Sequence, residues 1–108
     1  MKIIWILVNC NSITEAKKIG TALLKKRLVS CFDIFERAGA WYFWPPKSGK
    51  IETSRGALLI LETLPAKVKK IGSEVRRLHS DALPFIGTIE IGTINSRYLR
   101  WMKGEMRK

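Results

Sequence analysis

Between residues 30 and 63 the sequence carries two long β-type stretches on either side of a single turn. Ser30 to Trp44 has no helical period, several aromatic residues and no proline, and Ile51 to Thr63 is a second run of the same kind. The segment between them, Pro45-Pro46-Lys47-Ser48-Gly49-Lys50, is dense in turn residues. Together they predict a hairpin, and at about 3.3 Å per residue its arms reach on the order of 40 Å. The 108 residues of the chain suffice for one hydrophobic core and are too few for two, so residues 1–108 are read as a single domain. A globule of that size has a radius of gyration of only about 13 Å. A straight hairpin of this length therefore cannot be covered by its own chain, and must bend, protrude or pair with another subunit.

The flanking elements complete the topology. Ile3 to Val8 is short, apolar and rich in branched side chains, as in a strand covered on both faces. Ser12-Ile13-Thr14-Glu15 has the form of a capping box, in which the Ser hydroxyl and the Glu carboxylate each satisfy a free N–H at a helix start. Ala16, Ile19, Gly20, Leu23 and Leu24 then draw one apolar stripe, with Lys17, Lys18, Lys25 and Lys26 off it. A second helix opens with Thr63 as N-cap and Pro65 in its first turn, buries Val68, Ile71, Val75 and Leu78, and ends near His79. Phe85 to Ile91 alternates as a fourth strand, with Phe85, Gly87, Ile89 and Ile91 on one side. Asn95 caps a last short helix carrying Tyr98, Leu99, Trp101 and Met102, and residues 104–108 form a loose basic tail. This βαββαβ order with a terminal helix is the ferredoxin-like α+β pattern, an antiparallel sheet with both main helices on one face. The other face is left open, and the aromatic cluster Trp41-Tyr42-Phe43-Trp44 lies near the hairpin turn. Association of sheets between subunits, through those four residues, removes the large apolar patch that a monomer would expose.

At this point the chain resembles the CutA family of divalent-cation tolerance proteins over nearly its whole length. Lys26-Arg27-Leu28-Val29-Ser30-Cys31 stands where that family has a Glu-Arg-Leu-Ala-Ala-Cys-like segment. Tyr42-Phe43-Trp44 with Gly49-Lys50-Ile51 is similar to its Tyr-Trp-Trp hairpin motif ending in Gly-Lys-Ile, and Tyr98-Leu99-Arg100-Trp101 to its closing Tyr-Leu-x-Trp. Leu78-His79, with Pro84 following, resembles its Leu-His before a Pro-containing loop. The resemblance implies a ferredoxin-like fold, a tight homotrimer whose hairpins cross between subunits, and a non-enzymatic part in the tolerance of or response to divalent metal ions. The chain departs from the family after His79, where Ser80-Asp81-Ala82-Leu83-Pro84-Phe85 replaces Pro-Tyr-Glu-Val-Pro-Glu and removes two carboxylates.

For copper or another divalent cation, the candidate ligands are Cys10 and His79 with Asp81 as an oxygen donor, none at a recognised ligand spacing. Cys31, at the start of an apolar strand, is expected to be buried, and Cys10, in a strand-to-helix loop, to be the more accessible thiol. Cys31 and Arg37 match a Cys-x5-Arg phosphatase spacing, but the residues between them read as strand and lack the glycines of a phosphate cradle. Neither a catalytic triad nor a Gly-rich nucleotide loop stands out.

Twenty Lys and Arg against nine Asp and Glu give a net charge of +11, which makes a polyanion such as nucleic acid a partner through the basic helix faces. An RNA-recognition motif is disfavoured, because Arg55-Gly56-Ala57-Leu58-Leu59-Ile60-Leu61 offers no aromatic platform. A small anion held in inter-subunit clefts near His79, Lys50 or Arg55 is a further reading. Only two cysteines, outside any disulfide framework, and no run of membrane-spanning length predict a cytoplasmic protein with no membrane partner. The absence of Gln, with Asn only at positions 9, 11 and 95, leans toward a heat-adapted source and a thermostable chain.

Overall fold

The computed structural model describes residues 2–107. In chain order the elements are β1 (Ile3–Cys10), α1 (Ile13–Lys25), β2 (Cys31–Phe43), β3 (Ile51–Thr63), a 3-10 turn at Pro65–Lys67, α2 (Val68–Leu78), β4 (Ile86–Ile91) and α3 (Ser96–Met106). The four strands form one antiparallel sheet in the order β2-β3-β1-β4, the arrangement expected of a ferredoxin-like chain.

Strand alternation decides what each face of the sheet carries. Ile4, Ile6, Val8 and Cys10 of β1 and Ala57, Leu59 and Leu61 of β3 meet Ala16, Ile19 and Leu23 of α1 and Ile71 and Val75 of α2 in a closed core. Gly20 is required where α1 crosses β2, since a Cβ at that position would stand 2.5 Å from the Phe32 ring. Helix α1 begins as its sequence predicts, with the Ser12 hydroxyl accepting from the Glu15 N–H. It ends in a Schellman turn: the Arg27 N–H bonds to the Leu24 carbonyl and the Leu28 N–H to the Leu23 carbonyl, and Arg27 takes the left-handed conformation at φ 58°.

On the opposite face, Ile3, Met102 and Met106 form a second, smaller core with Trp5, Ile91, Tyr98 and Leu99. Helix α3 thus covers one end of the face that the topology leaves open, and β1 is not covered evenly on both sides as its apolar run suggests: Trp5 and Leu7 are only half-buried, and Asn9 is exposed. Residues 104–106 are helical rather than part of a loose tail, because Met106 falls one turn after Met102 and is buried with it. Lys108 lies outside the described residues. Thr63 is not a helix cap either. It ends β3 with its hydroxyl buried and donating to the Leu28 carbonyl at 2.7 Å, while α2 is entered through the turn at Pro65. Asn95 occupies the N-cap position of α3 without a capping side-chain bond.

The hairpin has 13 residues in each arm and carries the molecule to 48 Å in its longest dimension, against 25 and 23 Å in the others. The radius of gyration, 15.0 Å, exceeds the roughly 13 Å of a compact chain this long. A bulge lies between Arg37, paired with Gly56, and Ala40, paired with Ser54. Its extra residue reverses the alternation of β2. Beyond it, Trp41 and Phe43 pair with Thr53 and Ile51, on the face of β3 that carries Ala57 and Leu59 in the body.

Candidate functional site

Cys10, Glu15 and His79 converge where the end of β1, the first turn of α1 and the C-cap of α2 meet, with one potential ligand atom from each lying within 4.8 Å of the others. The alternation that buries Ile6 and Val8 also turns Cys10 inward, where it is 1% exposed. The expected accessibilities of the two thiols are therefore reversed: Cys10 is buried and Cys31 is half-buried. Burial pushes the Cys10 thiol up to about 12, with the nearby Glu15 carboxylate acting in the same direction and Arg37 against it.

Glu15 is the carboxylate of this cluster, in the place expected of Asp81. Its Oε1 accepts from the Asn11 N–H at 2.9 Å and its Oε2 from the Ser80 N–H at 2.8 Å. The reciprocal half of the capping box is thus displaced by one residue, and the same carboxylate ties the start of α1 to the loop after α2. Burial raises the Glu15 carboxyl, but the bonds from Asn11 and Ser80, with His79 beside it, bring it below its ordinary value. Asp81 contributes differently: its N–H donates to His79 Nδ1 at 3.0 Å, and its side chain accepts from the Asn11 amide at 2.8 Å.

These bonds define the state of the imidazole. His79 Nε2 lies 2.6 Å from the Asn9 carbonyl, an acceptor, so Nε2 carries the hydrogen and Nδ1 receives the Asp81 N–H. Both nitrogens are engaged, and Glu15 Oε1 stands 3.8 Å from Nε2. A divalent cation needs a free imidazole lone pair and, from cysteine, a thiolate. As arranged, the residues do not fit a resident ion. Ligation by His79 requires surrender of a bond to Asn9 or Asp81, and ligation by Cys10 requires deprotonation of a thiol held at about 12. The chemistry the cluster does perform is a hydrogen-bonded closure of three chain segments. Ser12-x-x-Glu15, separated from Cys10 by Asn11 alone, is the sequence signal that brings Glu15 to this point.

A second polar group lies under α3. Glu62 accepts from Trp5 Nε1 at 3.2 Å and from the Tyr98 hydroxyl at 2.6 Å. Burial and the Glu62 carboxylate push the Tyr98 hydroxyl up; burial, Glu62 and Asp33 raise Cys31 to about 11. Cys31 and Arg37 lie on one extended strand, opposite Glu62 and Gly56, and not around a loop. Arg37 crosses Gly56, where a Cβ would meet its guanidinium at 2.5 Å. The three positions read for a small anion are not gathered within one chain: His79 is buried at the foot of the hairpin, whereas Arg55 and Lys50 are exposed and separated by roughly 16 Å of extended strand.

The hairpin tip stands bare in the single chain. Trp41 and Phe43 are each 73% exposed and Ile51 67%, with Tyr42 and Trp44 also open. On the body Phe35, Phe85 and Ile89 are exposed as well, Phe35 and Ile89 on the open face of the sheet, where they pair with Leu58 and Trp5.

The family model for the CutA1 divalent ion tolerance protein matches residues 4–105, and so takes in the hairpin, the three-segment junction and α3 together. The chain belongs to the CutA1 family. The divalent-cation tolerance protein CutA of Thermotoga maritima is 33% identical over 90 residues, which are 82% of this chain and 84% of that one. The CutA homolog of Danio rerio is 31% identical over 97 residues, 90% of this chain, and the match spans 63% of that longer relative. Among solved structures, the periplasmic divalent cation tolerance protein CutA from Archaeoglobus fulgidus superposes with a TM-score of 0.90 at 28% identity, covering 97% of this chain and 99% of that one. The names of these archaeal and bacterial relatives refer to divalent-cation tolerance. No helix among the described residues is long and apolar enough to cross a membrane.

Proposed function

We propose that this chain acts in divalent-cation tolerance as a non-enzymatic homotrimer, in which the hairpins and the open sheet faces of three copies cover one another. The observation that carries the reading is the uncovered aromatic tip, Trp41 and Phe43 with Ile51, together with Phe35 and Ile89 exposed on the open face of the body. A soluble chain seldom leaves so much apolar surface in water, and membership in a family described by divalent ion tolerance supplies the biological direction. Copper or another divalent cation would engage Cys10, Glu15 and His79 only by opening the hydrogen bonds that close the junction, so tolerance in this reading rests on the assembled protein rather than on a resident ion at that point. Two free cysteines on different elements are consistent with a reducing, cytoplasmic setting.

The test is a growth titration against copper, zinc and cobalt in a host lacking its own copy of the gene. The wild-type chain is expected to raise the inhibitory concentration of at least one cation, and a Trp41→Asp, Phe43→Asp double variant to lose that protection. Equal protection by both chains, or no protection by either, would reject the reading.

A further inference from the structure

The helix layer carries a charge pattern that metal tolerance does not use. On α1, Thr14, Lys17, Lys18, Thr21, Ala22 and Lys25 line one shallow groove on the side opposite Ala16, Ile19 and Leu23. On α2, Lys69, Lys70 and Arg76 are exposed. Both carboxylates of these helices are already committed: Glu15 to the Asn11 and Ser80 backbone, and Glu74 between Lys26 and Arg77 at 2.8 Å each. Among the described residues, Lys17, Lys18, Lys25, Lys69, Lys70 and Arg76 form no ion pair with a carboxylate.

We propose that the outer face of α1, extended by α2, is a docking surface for the phosphate backbone of double-stranded DNA, bound without base readout. Several observations select this occupant. The groove has no aromatic side chain on which single-stranded bases could stack. It has no long aliphatic or aromatic residue to enter a lipid surface. Helix α1 is backed by the sheet and flanked by α2, so it presents a face to phosphates and does not enter a groove, in keeping with binding without base readout. Lys18 and Lys25 are spaced about 10 Å apart along the helix axis, so they reach different phosphates of one strand. Threonine and alanine between the lysines let the backbone approach closely. The chain's charge of +11 adds long-range attraction of the same sign.

The experiment is fluorescence anisotropy with a labelled duplex of about 30 base pairs and arbitrary sequence, over a salt series from about 50 to 300 mM. Three forms of the full chain are compared: wild type, a Lys17→Gln, Lys18→Gln, Lys25→Gln variant, and a charge-matched Arg97→Gln, Arg100→Gln, Lys103→Gln control on α3. Wild type is expected to bind with an affinity that falls linearly on logarithmic axes. The α1 variant is expected to bind at least tenfold more weakly at the lowest salt, with a slope smaller by about 2.7, the loss of three phosphate contacts. The control should stay within about threefold of wild type. Circular dichroism melts of all three confirm that these exposed substitutions leave the fold in place. The proposal is overturned by absence of binding at the lowest salt, by equal weakening in both variants, which would mean diffuse charge alone, or by tighter α1-dependent binding to single-stranded DNA, duplex RNA or phosphatidylserine vesicles than to the duplex.

Discussion

Leu59 and Trp41 lie on the same side of the same two-stranded ribbon, yet Leu59 is fully buried and Trp41 is 73% exposed. Nothing in their local backbone accounts for this, since both sit in regular antiparallel pairing. What differs is what lies above them. Over Leu59 stand α1 and α2, whose Ile19, Leu23, Ile71 and Val75 close the core. The ribbon outruns those helices at the bulge beyond Arg37, and the bulge turns Trp41 and Phe43 onto the face that has just lost its cover. One chain therefore contains a finished half and an unfinished half, and the unfinished half is made of the side chains that gain most from burial.

Charge placed on the bare half is the most damaging change. Trp41→Asp with Phe43→Asp is expected to abolish self-association, seen as a fall of sedimentation coefficient to the single-chain value and a drop in apparent Tm of about 10 °C or more. The milder Trp44→Ala should weaken assembly by about 2 kcal/mol in a dilution series; unchanged sedimentation together with unchanged thermal stability would contradict it. Damage to the finished half should look different. Leu59→Ala is expected to cost about 2–5 kcal/mol in denaturant unfolding while subunit number stays the same.

Glu15 stabilises the body by hydrogen bonding and not by buried area. Its carboxyl is lowered in the folded chain, so its contribution is present above the ordinary carboxylate pKa and is lost as pH falls through the folded value. Glu15→Gln should cost about 1–2 kcal/mol at neutral pH, with the gap to wild type closing in acid. A gap that widened in acid would refute the assignment. The smallest expected effect is at Arg27, a non-glycine residue at φ 58°. Arg27→Gly relieves that strain at the loss of its bond to the Glu105 carbonyl, for a net gain of about 0.5 kcal/mol in thermal unfolding.

Much of this was legible in the residues. The strand and helix order, the capped start of α1 and the inner faces of both main helices follow from apolar period and turn chemistry, and the hairpin's excess length follows from counting. The site was less legible. Period-2 alternation from Ile4 through Val8 carries Cys10 to the helix side, but as a loop residue it reads as accessible; Cys31, at the head of an apolar run, falls on the side where Glu62 and Asp33 lie. Asp81 lies only two residues after His79, and yet its side chain turns to Asn11 while Glu15, from the first turn of α1, supplies the carboxylate of the cluster. Such choices depend on the conformation of two loops meeting in space, which no spacing encodes. The same holds for Thr63, whose place after a strand and before a proline suits a cap until Leu28 offers a buried carbonyl instead. Met106, one turn after Met102, is a signal of helix that the reading of residues 104–108 as a loose tail passes over.

Sedimentation equilibrium of the wild-type chain at sub-micromolar concentration addresses the need for companions most directly. A single species at three times the mass of one chain, persisting across the dilution, is the result expected of three hairpins covering one another. A well-folded species at the mass of one chain, persisting across the same dilution, would contradict it.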